Sequence, residues 1–217
     1  MTTLSSRAPF ITFEGGEGAG KTTQTRLLAD RLAAAGIPCL VTREPGGAPF
    51  AEEIRALLLR ADLPARSAMS EALLFLAARA DHVAETILPA LGAGTWVISD
   101  RFADSTLAYQ GAAGGVPLAT LAGLHRLVLG DFQPDLTIIL DLPPQTGLAR
   151  IGARHGQGVD HFESRSLAYH EALQQGFLAI AADNPGRCVL IDATASREDI
   201  AAHIWTVVET RLSGKMG

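Results

Sequence analysis

The sequence predicts an α/β fold: a doubly wound parallel sheet of five strands with helices on both faces. A glycine-rich phosphate-binding pattern lies between a strand signal and a helix signal near the N-terminus. Five short apolar runs, largely without in–out alternation, alternate with helical stretches. Charged residues stand at the carboxyl ends of these runs, where such sheets bind ligands. The chain has 217 residues, 47% of them hydrophobic, and no repeat, low-complexity tract or linker divides it. Residues 1–217 are therefore read as one domain with a sizeable core.

The strand runs are Phe10–Glu14, Pro38–Thr42, Trp96–Ser99, Leu136–Asp141 and Cys188–Ile191. Helices are expected over Thr22–Ala35, Phe50–Leu59, Ser70–Leu88, Leu118–Leu129, Ser164–Ala182 and Ser196–Leu212. Phe50, Ile54, Leu57 and Leu58 are expected to form one buried stripe. Ser196 followed by Asp199 resembles a capping arrangement. Arg150–Glu163 is rich in glycine and charge and reads equally as a closing lid or a surface loop.

Gly15, Gly16, Glu17, Gly18, Ala19, Gly20, Lys21 and Thr22 fit G-x-x-x-x-G-K-[ST]. Glycines let the backbone curl so that successive N–H groups face an anion, and the helix N-terminus adds partial positive charge. Lys21 can reach the β/γ-phosphates, and the Thr22 hydroxyl can bind Mg²⁺. Glu17 is out of place in an anion cradle. It needs a compensating arginine, or a substrate hydroxyl to accept from.

Composition narrows the function. A net charge of −5 argues against a broad nucleic-acid-binding face. No apolar run approaches the ~20 residues needed to span a membrane. Residues 1–9 hold one arginine and no apolar stretch of the kind a secretory leader requires; they are taken as a tail that need not be ordered. A cytoplasmic protein is expected, with Cys39 and Cys188 as reduced thiols.

After the second strand run comes Arg43-Glu44-Pro45-Gly46-Gly47, after the third Asp100-Arg101. An acid–arginine pair suits phosphoryl transfer with a second phosphate to hold: Asp100 for Mg²⁺, Arg101 for the acceptor. The chain lacks the N-K-x-D element of guanine-reading switches. Phe75 and Arg79 share a helix face and could meet a base, although by periodicity alone Phe75 reads as core. A nucleoside monophosphate kinase, a deoxynucleoside kinase using Glu44 as base and a nucleotide-sensing regulator all start from this loop.

In order and spacing the chain resembles the bacterial thymidylate kinases over nearly its whole length after residue 9. The resemblance is carried by the loop with Glu17, Thr42–Gly47, Leu74–Arg79, Ser99-Asp100-Arg101, Ser105–Gly111 and Pro134–Thr137. It implies a P-loop NTPase fold with strand order 2-3-1-4-5, a homodimer, and Mg²⁺-assisted in-line transfer from ATP to dTMP, giving dTDP for dTTP biosynthesis. Arg43 and Arg101 would hold the dTMP phosphate, and Glu17 would accept from the 3′-hydroxyl. Phe75 would stack on thymine and Arg79 would meet a base carbonyl. Thr106 and Gln110 would shape the base pocket, and Tyr109 would disfavour a 2′-hydroxyl. A cis bond before Pro45 is also implied. Lid arginines would supply transition-state charge, here Arg150 and Arg154. The lid departs from the family pattern in reading Asp160-His161-Phe162-Glu163, with histidine in place of arginine.

Overall fold

The computed structural model describes residues 7–60, 62–153 and 162–216. Five parallel strands form one sheet in the order β2-β3-β1-β4-β5. They are β1 (Phe10–Glu14), β2 (Cys39–Arg43), β3 (Trp96–Asp100), β4 (Leu136–Asp141) and β5 (Cys188–Asp192). Every residue of β1 is buried, which explains why Phe10, Ile11 and Phe13 fall on both faces rather than alternating with exposed polar residues.

The helices are α1 (Lys21–Ala34), α2 (Pro49–Leu59), α3 (Ala68–His82), α4 (Leu88–Gly92), α5 (Ala103–Thr106), α6 (Leu118–Leu129), α7 (Pro144–Gly152), α8 (Leu167–Asp183) and α9 (Arg197–Leu212). On one face Ile11, Phe13, Ile98, Leu136 and Ile138 pack against Leu28 and Leu32 of α1 and Ile200, Ile204 and Val208 of α9. On the other, Phe10 and Val97 pack with Val83, Ile87 and Phe102, while Ile139 meets Tyr109, Leu173 and Phe177.

Several expected elements shift. Arg43 pairs with Asp100 in the parallel register, so β2 extends one residue beyond its apolar run. The stretch expected as one helix to Leu88 breaks into α3, a π turn over Val83–Ile87 and α4. Pro89 in the first turn of α4 has no N–H to continue the ladder. α8 starts at Leu167 because the Ser166 hydroxyl accepts from the Tyr169 amide. The Ser196 cap forms as expected. The α2 stripe does not: Phe50 is 61% and Leu57 39% exposed, and the buried face is Ala51, Ile54 and Leu58.

Two elements carried no clear sequence signal. α5 runs into a π turn over Leu107–Ala113, and its residues are too few and too mixed to show a period. α7 begins at a proline and contains Gly147 and Gly152. Of the segment expected as a lid, Arg150–Gly152 form the last turn of α7; Arg154, His155, Asp160 and His161 lie outside the described residues. Of the N-terminal tail, Arg7 pairs with Asp135 at 2.7 Å, and the Ala8 amide donates to Leu91 at 3.3 Å; residues 1–6 lie outside the described residues.

Candidate active site

The sheet register aligns the ends of β1, β2 and β3. Phe13 stands opposite Asp100, and Asp100 opposite Arg43. The loop leaving β1 therefore opens directly beside both charged turns. A cleft of about 760 Å³ lies there, large enough for a nucleotide. Its walls include Lys21 and Thr22 from the loop, Arg43 from β2, Phe75 from α3, Asp100-Arg101 from β3, and Thr106, Tyr109 and Gln110 beyond it.

On the loop side backbone dominates. Gly15 has φ 131° and Gly18 φ 70°. A Cβ at Gly15 would stand 2.4 Å from the Leu140 carbonyl oxygen, and one at Gly18 2.3 Å from that of Gly147. Conformation and close approach thus both require glycine. Gly20, in the left-handed region, precedes α1. The Lys21 ammonium donates to the Gly15 and Gly16 carbonyls at 3.0 and 2.8 Å. Burial, and then the nearby Arg101 cation, lower its pKa to about 8; it remains mostly charged at neutral pH. Arg150 reaches the Gly18 carbonyl at 3.4 Å.

The Thr22 hydroxyl donates to Asp100 Oδ2 at 2.5 Å. This convergence of two hard oxygen donors at the mouth of the loop fits Mg²⁺, which takes few protein ligands and fills its shell with phosphate and water oxygens. Among the described residues no cluster of three His, Cys, Asp or Glu side chains offers a closed metal cage.

Arg101 is the single non-glycine residue with positive φ among those described, at 75°. Its guanidinium meets Glu17 at 2.7 Å, donates to the Gly15 carbonyl at 3.2 Å and lies 4.8 Å from the centre of the Tyr109 ring. The Tyr109 hydroxyl also donates to Glu17, through a short hydrogen bond. The compensating arginine expected for Glu17 is therefore Arg101, and the Tyr109 hydroxyl, which was not expected, adds to it. Burial raises the Glu17 pKa, but Arg101, Lys21 and the Tyr109 hydroxyl outweigh it and hold the carboxyl at about 2.

Two site arginines have partners that sequence did not suggest. Arg43 is paired with Glu52 at 2.9 Å on the exposed rim. Arg79 is buried one layer behind the cleft: it meets Glu44 at 2.7 Å, the Phe102 carbonyl at 3.1 Å and the Thr106 hydroxyl at 3.0 Å. His82 Nδ1 faces the other Glu44 oxygen at 3.1 Å. Phe75, by contrast, lines the cleft and packs on Phe162 with ring centroids 5.8 Å apart. Gln110 donates to Glu71 at 3.3 Å, and Arg165 meets the other Glu71 oxygen at 3.3 Å. The Glu44–Pro45 bond is cis, as the resemblance implies.

Arg55 was missed. It lines the cleft from α2, donates to the Pro45 carbonyl at 2.8 Å, and has its pKa lowered by burial and then by Arg43. The available signal was an arginine four residues after Ala51, on the edge of the face that is in fact buried. Asp141, expected on the rim, is held by Gln174 at 2.7 Å in a small side cavity behind the loop.

A phosphate cradle facing a wall of arginines across one cleft defines a phosphate-loop kinase. Comparison narrows the class. The thymidylate kinase family profile matches residues 13–204. A thymidylate kinase from Bradyrhizobium sp. is 52% identical over 95% of this chain and 92% of its own length, and one from Rhodopseudomonas palustris is 55% identical over 96% and 91%. The crystal structure of thymidylate kinase from Ehrlichia chaffeensis superposes with a TM-score of 0.74 at 33% identity, covering 93% of this chain and 98% of that one. The chain belongs to the thymidylate kinase family.

Proposed function

We propose that the protein phosphorylates dTMP to dTDP at the expense of ATP. The observation that carries this is Glu17: a carboxylate inside the anion cradle, kept ionised by Arg101 and Tyr109. A pure ATP-binding loop would gain nothing from it. A nucleoside acceptor beside the triphosphate would donate its 3′-hydroxyl there. Phe75 offers a face for the base, and Thr106 and Gln110 offer polar edges. Arg79 acts from behind, fixing Thr106. Tyr109 lines the same cleft and is read as standing beside the sugar, where it would disfavour a 2′-hydroxyl.

In the reaction an oxygen of the acceptor phosphate attacks the γ-phosphorus and the bond to the β–γ bridging oxygen breaks, leaving ADP. The acceptor is ionised at neutral pH, so no general base is needed. Lys21 and the loop amides hold the donor phosphates, and Arg43 and Arg101 hold the acceptor in line. Arg150, beside Gly18, adds charge on the donor side, and the segment 150–163 is read as the lid that keeps water out. Thr22 and Asp100 would hold Mg²⁺, which when bound offsets charge on the transferring phosphates. Glu44 is poorly placed to act as a base toward a nucleoside, since its two oxygens face Arg79 and His82.

We also read the enzyme as a cytoplasmic homodimer. Packed helices α2, α3 and α6 leave Phe50, Leu57, Leu73 and Leu118 exposed, an apolar surface suited to a second copy. Cys39 and Cys188 are free thiols. Incubating the protein with Mg·ATP and dTMP, thymidine, UMP, CMP or no acceptor, and measuring ADP, tests the activity. Turnover with dTMP should stand well above the rest; preference for thymidine would overturn the reading.

A further inference from the structure

Glu14, the last residue of β1, is 0% exposed and has no place in the chemistry above. A buried carboxyl is expensive unless its oxygens are satisfied. Here both are. The Phe102 amide donates to Oε1 at 2.7 Å, and the Ser105 hydroxyl lies 2.6 Å from Oε2. These partners follow Arg101, one and four residues on. The Arg101 amide donates to the Phe13 carbonyl at 2.9 Å, so consecutive residues of β1 hold consecutive amides of the turn. Ser105 in turn accepts from the Arg101 guanidinium at 3.3 Å. Between these attachments Arg101 sits at φ 75°, a conformation that an L-residue adopts at a cost and keeps only when its surroundings over-determine it.

We infer that Glu14 is the positioning residue for Arg101: its two carboxyl oxygens clamp the backbone after the arginine and the hydroxyl beneath it, and so fix where the guanidinium meets the acceptor phosphate. This rests on Arg101 being an acceptor-phosphate ligand. Burial, followed by the Asp104 charge, pushes the Glu14 carboxyl well above the ordinary range, although Ser105, Arg101 and the Phe102 amide pull the other way. The clamp therefore works through hydrogen bonds and reach rather than through negative charge.

That distinction supplies the test. Glu14→Gln keeps the length and two polar atoms, and loses the capacity for charge. Glu14→Asp keeps the acid and is one methylene too short to span both partners. With wild type, steady-state KM for dTMP and for ATP, kcat and thermal midpoint are measured for each. Glu14→Asp should raise the dTMP KM about tenfold or more, since displacements near 1 Å at a positioned group carry penalties of that order. Its ATP KM should stay within about twofold, and Glu14→Gln should stay within about threefold on both. A role in stability alone would lower the midpoint of either variant and move both KM values together or neither, which overturns the inference. A large dTMP defect in Glu14→Gln overturns it too. Failure of wild type to turn over dTMP would instead refute the functional reading. In that case a crystal structure of Glu14→Asp decides the clamp: Arg101 should leave the left-handed region, and its persistence at φ near 75° would refute the clamp.

Discussion

The two halves of the cleft solve one problem, holding a polyanion, with different materials. The half proposed for the donor is one continuous segment, Gly15 to Thr22, in which amides and glycine conformations would do the binding. The half proposed for the acceptor is assembled from α3, the end of β2, the turn after β3, and α5, and its charges are held by other side chains: Arg101 by Glu17, Arg43 by Glu52, and Arg79 behind them by Glu44. Backbone recognition is rigid and intolerant, because a single Cβ at Gly15 or Gly18 would collide with main-chain oxygen. Side-chain recognition would be graded: Arg43 and Arg101 each have a waiting partner, and the strength of that pairing would set how readily each turns to a phosphate.

The sharpest test of this division is loss of the side chain that carries the donor loop's own positive charge. Lys21→Ala should lower kcat by on the order of 10³ or more, the scale for removing a charge aimed at developing negative charge. Circular dichroism and the thermal midpoint should remain close to wild type, because burial already depresses the lysine pKa and its removal relieves that cost. Near-normal turnover would mean that the amides alone suffice. Glu17→Ala comes next. It leaves the Arg101 cation without its ion-pair partner and removes the proposed acceptor for the 3′-hydroxyl. The dTMP KM should rise about 10²-fold while the ATP KM moves less than about threefold, with a lowered midpoint. Equal rises in both constants would show that the halves are not energetically separable.

This division also explains what was legible in the sequence. The strand–loop–helix unit was read at near residue accuracy because its function is carried by contiguous glycines with a fixed spacing. Sheet order came from resemblance rather than periodicity, since parallel strands covered on both faces show apolar runs and no register. Glu17 signalled its need for a partner, but which cation answered depended on the Arg101 turn, 84 residues away along the chain. Arg79 and Arg55 were harder. A helix pattern cannot distinguish an arginine that reaches a ligand from one that braces a neighbour, and the true face of α2 was displaced from the expected stripe because Phe50 and Leu57 are apolar and exposed. The π turns after α3 and α5 leave no compositional mark that a 3.6-residue period can detect.

Opposite pH limits should separate the halves further. The Lys21 pKa of about 8 predicts that kcat/KM for ATP falls as pH rises through 8, about tenfold per unit well above it. The stability linkage has the other sign. The folded pKa lies below the unfolded value of 10.5, the unfolded chain binds more protons between the two, and this lysine's contribution to stability therefore rises from pH 8 to 10.5. Glu17, held at about 2 against 4.5, contributes stability that is present above 4.5 and lost as pH falls toward 2. Rate profiles from pH 6.5 to 9.5, with Lys21→Arg as the variant that stays charged, check the basic limb. An unchanged limb in that variant would assign it to another group.

The smallest expected effect probes the grading within the acceptor half. Arg43 and Glu52 form an exposed pair, with side chains 52% and 40% accessible, of the kind worth about 0–1 kcal/mol. Arg101 and Glu17 are 16% and 17% accessible and reinforced by Tyr109. On the proposed roles, Arg43 would exchange its partner for a phosphate at little cost, whereas Arg101 would keep its carboxylate and bind with its remaining donors. Glu52→Ala should accordingly lower the dTMP KM by no more than about threefold at low salt, and the difference should shrink as ionic strength rises. Glu52 also accepts from the Gly47 amide at 2.8 Å, so a rise in KM would mean that holding the Pro45–Gly47 turn outweighs competition for Arg43. A change as large as that from Glu17→Ala, in either direction, would move the anchor of the acceptor phosphate from the buried turn after β3 to the exposed edge strand β2.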